Sequence, residues 1–390
     1  MVLGVTGSIA AYKAVDLASK LTQAGVAVHV VMTESATKLV GPASFRAITG
    51  LPVSTDLFEL SNPFAIEHVS LADVADAFVI APATANVIAK VACGIADDLL
   101  TCTALATRAA MLIAPAMHTA MWESPATRNN VGQLRERGIT FVGPADGRLA
   151  SGGYGAGRFA PVPEILGEIL RVLGAAGDLA GRKVVVSAGG TREPIDPVRF
   201  LGNRSTGRMG IAVAEAARDR GAHVTLVCGP TALQHPSGMT VVDVTAAAEM
   251  LDAVKAASEG ADVLVMAAAV ADLAPTAPSV NKIKKTDEGL TLSLQRTADV
   301  LDTVRDVPIR IGFAAETDRL IENAKHKLEN KALDLIVANP VGGADDAFAS
   351  DRNRCTFIDA SGAVEELPSL TKREAADRIL DWVAVRFRAS

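Results

Sequence analysis

The sequence predicts an α/β protein made of two successive domains, each a doubly wound, mostly parallel sheet covered by helices. A chain of 390 residues is long enough for two or three domains. Short apolar segments alternate with amphipathic ones across polar loops, which is the pattern of parallel strands joined by helices. Hydrophobic residues make up 49% of the chain and aromatic residues only 4%, and this composition suits sheets buried under closely packed helices.

The first half begins with a strand, a glycine-containing turn and a helix. The strand covers Val2–Val5, and the helix follows the turn at Gly7–Ala10 and runs to about Ala24, because Gly25 stops it. Three more apolar segments predict strands, and the last two of them end at a proline; they are Val26–Met32, Ala77–Ala81 and Ala110–Ala114.

A second sheet is predicted after Gly174–Gly181, where small and flexible residues interrupt the pattern and mark a boundary. We therefore expect domains over residues 1–175 and 176–390. The predicted strands of the second domain are Lys183–Ser187, Ala222–Val227, Asp262–Met266, Ile309–Phe313, Asp334–Ala338 and Cys355–Asp359. Its predicted helices cover 208–220, 246–258 and 317–332, with a last helix from about Thr371.

Charge and composition exclude several classes of function. A net charge of −6 and the scarcity of aromatic residues disfavour a nucleic-acid-binding platform. The sequence shows neither a long uncharged apolar run nor a signal peptide, so we expect a cytoplasmic protein that has no membrane partner. The four cysteines lack the spacing of metal ligands, which favours reduced thiols.

The turn at Gly7, Ser8 and Ile9 is a candidate anion site, because it lies where the first strand passes into the first helix. Backbone amides and the helix dipole bind anions at such a turn, and Ser8 adds a hydroxyl donor. The spacing differs from the Gly-x-Gly-x-x-Gly of dinucleotide sites. A single phosphate, as in FMN, therefore fits better than NAD, and a purely structural turn is the alternative.

Two later loops follow predicted strands, at the sheet edge where ligands bind in open α/β folds. In the loop 81–86, small residues allow a flat ring to approach, and Thr84 and Asn86 can hydrogen-bond its polar edge. In the loop 114–122, Met117 and its neighbours form either a pocket wall or part of the core.

Over roughly residues 1–170, these segments resemble the flavin-containing cysteine decarboxylases. The segments that carry the resemblance are 4–13, His68 within 67–71, 81–86 and 115–122, and residues 152–158 look like the substrate flap of that family. The resemblance implies a flavoprotein-like domain in which His68 is the catalytic base and the Met117 loop grips a carboxylate. FMN would oxidise the cysteine moiety of the substrate, and would return the electrons after carbon dioxide is lost. The implied FMN contacts are Gly7, Ser8, Ile9, Thr33, Ala83, Thr84, Asn86 and Met117.

His68 also has an ordinary interpretation, since a lone histidine is more often a packing or capping residue. Two further candidate catalytic residues depart from the family pattern. His118 stands where Asn is usual, and an imidazole still binds a carboxylate. Ser151 stands where the family has a proton-donating Cys, and serine is far less acidic than a thiol of pKa about 8.5. His118, Tyr154 or water would then donate the proton, and loss of decarboxylation is the competing interpretation.

Motifs in the second half indicate a phosphorylated ligand. Gly189 and Gly190 follow a strand and can cradle phosphate. The segment 203–210 leads into the helix 208–220, and helix capping accounts for Ser205 or Thr206 but not for Asn203.

Charged residues near the other predicted strands add to this indication. Asp272 brings a carboxylate beyond the strand 262–266, and Lys327 and Lys331 share one helix face. Lys282 lies in a basic loop, which by default is only solvated surface. Taken together, three sources of positive charge and one carboxylate fit a metal-bound nucleoside triphosphate.

Over about 180–388, the chain resembles the phosphopantothenate–cysteine ligases. The resemblance implies a Rossmann-like domain in which Asn203 stabilises an acyl-cytidylate and Lys282 acts on the triphosphate. Asp272 would be a magnesium ligand, and Leu273 stands where an aromatic residue is common. The implied CTP site consists of Gly189, Gly190, Asp272, Lys282, Ala298, Asp299, Val300, Leu301, Phe313, Lys327 and Lys331.

The two resemblances imply consecutive reactions, because the second domain would make phosphopantothenoylcysteine and the first would decarboxylate it to phosphopantetheine. The decarboxylases form trimers and the ligases form dimers, which together imply a homo-oligomer of about twelve chains. Two alternatives stay open: a ligase whose flavin domain is only regulatory, and a nicotinamide-dependent reductase, against which the missing dinucleotide fingerprint counts.

Overall fold

The chain folds into two α/β units, Met1–Leu173 and Gly174–Ser390, in the computed structural model. The structure describes residues 1–58, 67–149, 152–284, 290–341 and 352–389. Within these ranges, no helix is both long enough and apolar enough to span a bilayer. All four cysteines are free thiols.

The first unit is built on a six-stranded parallel sheet with the strand order β3-β2-β1-β4-β5-β6. The order reverses between β1 and β4, and an open α/β sheet binds its ligands at such a switch point. An antiparallel hairpin, β7–β8, follows the sheet. The strands are β1 (Val2–Val5), β2 (His29–Met32), β3 (Val53–Ser54), β4 (Ala77–Ala83), β5 (Ala110–Pro115), β6 (Thr140–Phe141), β7 (Ala145–Arg148) and β8 (Tyr154–Arg158).

Helices cover both faces of this sheet, so every residue of β1 and β4 is buried. One apolar cluster packs Leu3 and Val5 against α1 and α9, and the other packs Phe78 and Ile80 against α5 and α6. The helices are α1 (Ala11–Gln23), α2 (Glu34–Thr37), α3 (Pro42–Thr49), α4 (Glu67–Asp73), α5 (Ala85–Cys93), α6 (Leu99–Ala106), α7 (Thr119–Trp122), α8 (Pro125–Glu136) and α9 (Val162–Leu173).

The second unit contains an eight-stranded sheet in the order β13-β12-β9-β14-β17-β18-β19-β20. The first six strands in that order are parallel, and β19 and β20 are antiparallel additions at one edge. Two short hairpins, β10–β11 and β15–β16, lie outside this sheet. The strands are β9 (Lys183–Ala188), β10 (Arg192–Pro194), β11 (Phe200–Gly202), β12 (His223–Cys228), β13 (Thr240–Asp243), β14 (Val263–Met266), β15 (Leu273–Pro275), β16 (Leu294–Arg296), β17 (Ile309–Glu316), β18 (Leu335–Pro340), β19 (Arg352–Asp359) and β20 (Val364–Thr371).

Two apolar clusters also enclose the second sheet. One joins the strands to α10 and α14, and the other joins them to α11, α12 and α13. Gly210 allows α10 to lie directly on β9, since a Cβ atom there would come 2.5 Å from the Ser187 carbonyl oxygen. The helices are α10 (Arg208–Arg218), α11 (Ala247–Ala257), α12 (Val300–Thr303), α13 (Leu320–Asn330) and α14 (Lys372–Ala389).

The predicted fold class, two successive α/β units with mainly parallel sheets, is confirmed. Some bounds were wrong. The strand predicted from Val26 begins at His29, because β1 begins at Val2 and His29 is its partner. The helix predicted over 317–332 is α13, which is shorter because Arg319 adopts a left-handed conformation (φ 43°) at its start.

Candidate active sites in the two units

In the first unit, the turn between β1 and α1 presents free backbone donors. The amides of Gly7 and Ile9 have no hydrogen-bond acceptor among the described residues. A Cβ atom at Gly7 would collide with Ser35, so this turn needs glycine to pack against α2, the short helix that follows β2. The turn therefore combines unsatisfied amides with the positive end of a 13-residue helix, which favours an anion.

Two buried hydroxyls tie this turn to the loops that follow β4 and β5. Thr6 Oγ1 donates to the Pro82 carbonyl (2.7 Å) and accepts from the Thr84 amide (3.0 Å). Ser8 Oγ donates to the Ala116 carbonyl (2.9 Å). The sequence predicted that the Ser8 hydroxyl donates to an anion, but its hydrogen is bonded to the Ala116 carbonyl. The backbone amides remain as the donors of this turn.

The other predicted flavin contacts lie at the same edge of the sheet. Thr33 caps α2, and its amide bonds the Val5 carbonyl at the end of β1 (3.0 Å). Thr84 caps α5, and Asn86 is exposed in the first turn of that helix. Ala83 accepts a hydrogen bond from the Ala116 amide (3.0 Å). The ends of β1, β2, β4 and β5 thus form one polar edge.

The loop after β5 is held by the β7–β8 hairpin. The Met117 amide donates to the Gly157 carbonyl (2.9 Å), and Gly157 has φ 134°, with no room for a Cβ atom beside the Met117 oxygen. His118 caps α7, because its Nδ1 accepts from the Ala120 amide (3.2 Å). A neutral His118 then carries its proton on Nε2, which makes that atom a donor. Tyr154 is 82% exposed at the start of β8.

His68 lies in the first turn of α4 and is half-buried. Its side chain makes no hydrogen bond to any described residue, so no such bond joins it to the Gly7 turn or to the Met117 loop. Ser151, the other catalytic residue predicted for this unit, lies outside the described residues.

In the second unit, a cavity of about 1010 Å³ opens at the carboxyl ends of β14 and β17. Its volume is at the upper end of the range for small-molecule sites. The first turn of α10, α12 and one face of α13 complete the wall. The predicted site residues that line this cavity are Asn203, Asp272, Ala298, Asp299, Val300, Leu301, Phe313, Lys327 and Lys331.

Lys327 of α13 and Lys331, the residue that caps the C-terminal end of this helix, line the cavity in different states. Lys327 Nζ donates to the Phe313 carbonyl (2.8 Å), and burial lowers the pKa of its ammonium. Lys331 pairs with Asp299 (2.8 Å) and with Asp302. Burial works against the charge of Lys331, but these carboxylates outweigh it and raise the pKa of the lysine. Both carboxylates are half exposed, so the pair remains accessible to a charged ligand.

Arg310 supports this side of the cavity from below, by binding backbone carbonyls of α12 and of the end of α13. Its guanidinium is buried and donates to the carbonyls of Leu301, Lys331 and Ala332, which lie at the ends of α12 and α13. Because one side chain holds both helix ends on β17, the positions of Asp299 and Lys331 are coupled to the sheet.

Asn203 precedes α10 and is anchored through its amide group. Its Nδ2 donates to the carbonyls of Ala269 and Val270, both at 3.2 Å. These two bonds occupy both amide hydrogens, so Oδ1 is the atom left for a ligand.

Three predicted residues do not line this cavity. Gly189 and Gly190 pack behind it: a Cβ atom at Gly189 would lie 2.6 Å from the Gly229 oxygen, and one at Gly190 would lie 3.3 Å from the Asn203 oxygen. Lys282 is exposed, in a loop whose Ile283 amide bonds Asp196 (3.1 Å). The glycines therefore allow close backbone packing beneath the site, which the phosphate interpretation did not anticipate.

The polar residues of the same cavity that sequence reasoning missed include Asn339, Asn353 and Lys372. Asn339 lies near the carboxyl end of β18, so the sheet-edge argument applied to it as well. Asn353 and Lys372 come from an antiparallel edge strand and from the start of α14, and no motif in the sequence connects them.

Among the described residues, no group of three or more His, Cys, Asp or Glu side chains is arranged to hold a metal ion. Asp272 offers an exposed carboxylate at the cavity that pairs with no described cation, whereas Asp299 and Asp302 both pair with Lys331. A single carboxylate fits magnesium only when substrate phosphates supply further ligands.

The fold and the two sites define a two-unit α/β protein with an anion-binding turn in one unit and a charged, nucleotide-sized cavity in the other. Residues 1–174 match the Flavoprotein family, and residues 179–386 match the family described as DNA/pantothenate metabolism flavoprotein C-terminal domain. The chain belongs to the family of bifunctional coenzyme A biosynthesis proteins. It is thus a phosphopantothenoylcysteine decarboxylase, with a flavoprotein domain, joined to a phosphopantothenate–cysteine ligase.

The relatives match over nearly the whole chain. The coenzyme A biosynthesis bifunctional protein CoaBC of Bacillus subtilis is 44% identical over 390 residues, covering 98% of this chain and 96% of the relative. The protein of the same name from Mycobacterium bovis is 47% identical over 402 residues, with the same coverage. A solved structure of the FMN-dependent cysteine decarboxylase SpaF is 37% identical over 44% of this chain and 95% of that one, with a TM-score of 0.39.

Proposed function

We propose that the first unit binds FMN, with the phosphate on the Gly7–Ile9 turn. The support is the pair of amides without acceptors at the start of α1, where the helix dipole adds to their attraction for an anion. The loops tied to that turn by Thr6 and Ser8 offer small residues and polar side chains to a flat ring. The residues that would hold the flavin are Gly7, Ser8, Ile9, Thr33, Ala83, Thr84, Asn86 and Met117.

The flavin, when bound, supplies the two-electron oxidation of the cysteine moiety and the later return of those electrons. His68 would accept the proton released in the oxidation. His118 would donate from Nε2 to the substrate carboxylate, since its Nδ1 is engaged by the Ala120 amide. The β7–β8 hairpin would hold this loop in place through the bond between Met117 and Gly157.

The proton for the re-reduced product would come from His118 or from Tyr154, because the hydroxyl of Ser151 is a weak acid. Tyr154 is exposed on the hairpin that contacts the His118 loop. We expect Ser151→Ala to have a modest effect on phosphopantetheine formation and Tyr154→Phe or His118→Ala to impair the reductive half-reaction. Stalling of Ser151→Ala at the oxidised, decarboxylated product would contradict this assignment.

In the second unit, we infer a ligation that consumes CTP. A carboxylate is a poor electrophile, so phosphopantothenate would first attack CTP to give an acyl-cytidylate and diphosphate. The amine of cysteine would then attack the acyl carbon, and CMP would leave. The support is a cavity of suitable size with Lys327, Lys331 and Asp299 on one wall and Phe313 beside them. Ala298, Val300 and Leu301 would contribute the segment that borders the nucleotide.

Asn203 and Lys282 would have distinct tasks. Both amide hydrogens of Asn203 bond backbone carbonyls, so contact with the acyl-cytidylate would use Oδ1, or would require one of these bonds to be exchanged. Lys282 would approach the triphosphate from its exposed loop, which Asp196 and Arg199 hold in place through Ile283. Magnesium would arrive with the triphosphate, and Asp272 would supply its protein ligand.

We also propose self-association through both units. Apolar side chains are exposed on and around the hairpins β10–β11 and β15–β16, and exposed apolar patches mark interfaces. They are Val198, Phe200, Leu273, Val280, Leu292 and Leu294. In the first unit, Ile9 and Tyr12 are exposed beside the anion-binding turn. A twofold contact at the hairpins and a threefold contact near the turn would close an assembly of about twelve chains.

The observation that carries this proposal is the charged cavity, which lies in the same chain as the anion-binding turn. The test is to incubate the protein with phosphopantothenate, cysteine, CTP and magnesium and to analyse the products by mass. We expect phosphopantothenoylcysteine, phosphopantetheine, CMP and carbon dioxide, and denaturation of the protein should release FMN. Equal turnover with ATP would refute the choice of CTP, and release of FAD or of no flavin would refute FMN.

A further inference from the structure

Two arginines that line the cavity of the second unit are not used by the proposed ligation. Arg204 lies between β11 and α10, directly after Asn203, and Arg296 is the last residue of β16. Both are exposed. Neither guanidinium forms a hydrogen bond or an ion pair with any residue that the structure describes. The two arginines therefore bring positive charge to the cavity that these parts of the chain do not neutralise.

The opposite situation holds at the wall formed by α12 and α13, where the lysines already have partners. Lys331 pairs with Asp299 and Asp302, and Lys327 donates to a backbone carbonyl. The net charge of the chain is −6, so carboxylates outnumber cations. Two cavity arginines left without a carboxylate in such a chain indicate an anionic ligand. A carboxylate matches a guanidinium well, because two parallel N–H···O bonds can join the planar groups.

The backbone places both arginines near the residue that is proposed to contact the acyl-cytidylate. Asn203 is that residue, and its amide bonds two carbonyls of the loop 267–272 (both 3.2 Å), which holds Arg204 beside this loop. Arg296 lies where the same loop ends, as the cross-strand partner of Leu273. An anion bound by these arginines would therefore lie close to the activated acyl group.

Of the ligation substrates, cysteine fits this position best. Its amine attacks the acyl carbon, and only one carbon atom separates that amine from the α-carboxylate. The carboxylate must therefore be held close to the acyl group, and holding it there also sets the direction of the amine. The phosphate of phosphopantothenate is at the other end of that substrate from the acyl group. The phosphates of CTP are the competing anions.

We propose that Arg204 and Arg296 form the binding site for the α-carboxylate of cysteine. The inference rests on the proposed ligation and adds to it a site for the second substrate. The guanidiniums hold the carboxylate while the amine attacks the acyl carbon and CMP leaves. An amine that lacks a carboxylate is consequently a poor substrate.

The test compares cysteine with cysteamine, which has the same amine and thiol but no carboxylate. CMP release by the full chain is measured over a range of concentrations of each amine, and release without amine is subtracted. The variants are Arg204→Met, Arg296→Met and Arg204→Lys, of which the last keeps the charge but loses the planar pair of donors. Arg378→Met is the control, because Arg378 is an exposed arginine of α14 that does not line the cavity.

We expect each arginine-to-methionine change in the cavity to lower kcat/KM for cysteine about ten-fold, as loss of a charge-assisted hydrogen bond does. The kcat/KM for cysteamine should not change, and Arg204→Lys should retain part of the preference for cysteine. The wild-type protein should prefer cysteine by at least the same factor. An equal loss for the two amines, or an unchanged rate with cysteine, would overturn the proposal.

Formation of the acyl-cytidylate in the absence of cysteine, followed by diphosphate release, is measured in the same preparations. Its rate and the KM values for CTP and phosphopantothenate should match those of the wild type, as should the thermal unfolding curve. A raised KM for CTP with an unchanged preference for cysteine would assign the arginines to phosphate and overturn the proposal. If a methionine variant fails to fold, Arg204→Lys decides the question.

Failure of the proposed ligation has a different signature. A wild-type protein that forms no acyl-cytidylate would refute the ligation itself. Wild-type ligation with an unaltered preference between the two amines in every variant would refute only the role of Arg204 and Arg296.

Discussion

At the scale of single residues, the decarboxylase assignment depends most on His68. The side chain is half-buried in the first turn of α4 and makes no hydrogen bond to a described residue. It is therefore available to accept a proton at either ring nitrogen, whereas the Nδ1 of His118 caps a helix and only its Nε2 is left to act. An ordinary capping role for His68 has no support among the described residues, although the base role stays a proposal.

We expect His68→Asn to reduce carbon dioxide release by about a hundred-fold or more, the contribution typical of a general base. Asparagine has a similar size but does not titrate in this range. Ligation in the same preparation serves as the control, because its cavity is built only from residues of the second unit. Near-normal decarboxylation by His68→Asn would show that another group is the base.

The cysteines allow a second test at this scale, one that depends on pH. Burial raises the pKa of Cys228 and of Cys355 to about 11 each. At about pH 8 only about a thousandth of each thiol is then ionised, and the thiolate is the reactive form. Cys93 is exposed, so it should react first with a thiol reagent in the folded protein.

Labelling by iodoacetamide followed by peptide mass analysis checks this order. Cys228 and Cys355 should react only after unfolding or, because a raised thiol pKa delays ionisation, at strongly alkaline pH. Rapid native labelling of either buried thiol would mean that its strand opens readily.

At the scale of elements, the sequence predicted the central strands better than their surroundings. β1 has the predicted bounds, because a run of four buried apolar residues followed by a glycine turn is a local signal. The hairpins β10–β11 and β15–β16 were missed, since strands of only three residues, most of them exposed, leave no hydrophobic period.

The same limit applies to the ligase cavity. Helical spacing predicted that Lys327 and Lys331 share a face, and both line the cavity. The pairing of Lys331 with Asp299 spans 32 positions in the chain, and the meeting of Lys372 with Asn353 depends on an antiparallel edge strand. Such contacts arise from the arrangement of whole elements, so no local sequence pattern predicts them.

The β7–β8 hairpin provides a prediction at this scale. Alanine at Gly157 must strain a backbone with φ 134° and collide with the Met117 oxygen. We expect Gly157→Ala to move the hairpin away from the Met117 loop, at a cost of about 1–3 kcal/mol in the free energy of unfolding. Decarboxylation should fall and ligation should continue.

Gly132→Ala is the matched control, because Gly132 lies in α8 of the same unit with open space around its Cβ position. That change should be neutral or slightly stabilising, since alanine favours helix. The measurements are the unfolding curve of each variant and its release of carbon dioxide. Wild-type decarboxylation by Gly157→Ala would show that the hairpin does not position the loop.

At the scale of the whole molecule, one chain carries two consecutive reactions. The product of the ligase is the substrate of the decarboxylase, so fusion keeps the two activities at equal concentration. Each unit also has its own core on both faces of its sheet. Separate cores permit each unit to keep its own preferred contacts with other copies of the chain, and this is the basis of the proposed assembly.

The last prediction concerns that assembly. A chain with one twofold and one threefold contact can close with tetrahedral symmetry, which gives about twelve chains, and native mass spectrometry should show this particle.

Phe200→Glu places a charge on the β10–β11 hairpin, where the side chain is 52% exposed. Because a buried, unpaired charge is costly at an interface, this variant should separate the particle into trimers. Val385→Glu, at a similarly exposed apolar position on α14, is the control and should leave the particle intact. A wild-type protein that stays monomeric or dimeric at all working concentrations would refute the threefold contact. Trimers of Phe200→Glu that keep FMN bound would support the twofold contact at the hairpins, whereas dimers would place the hairpins at the threefold contact and refute this assignment.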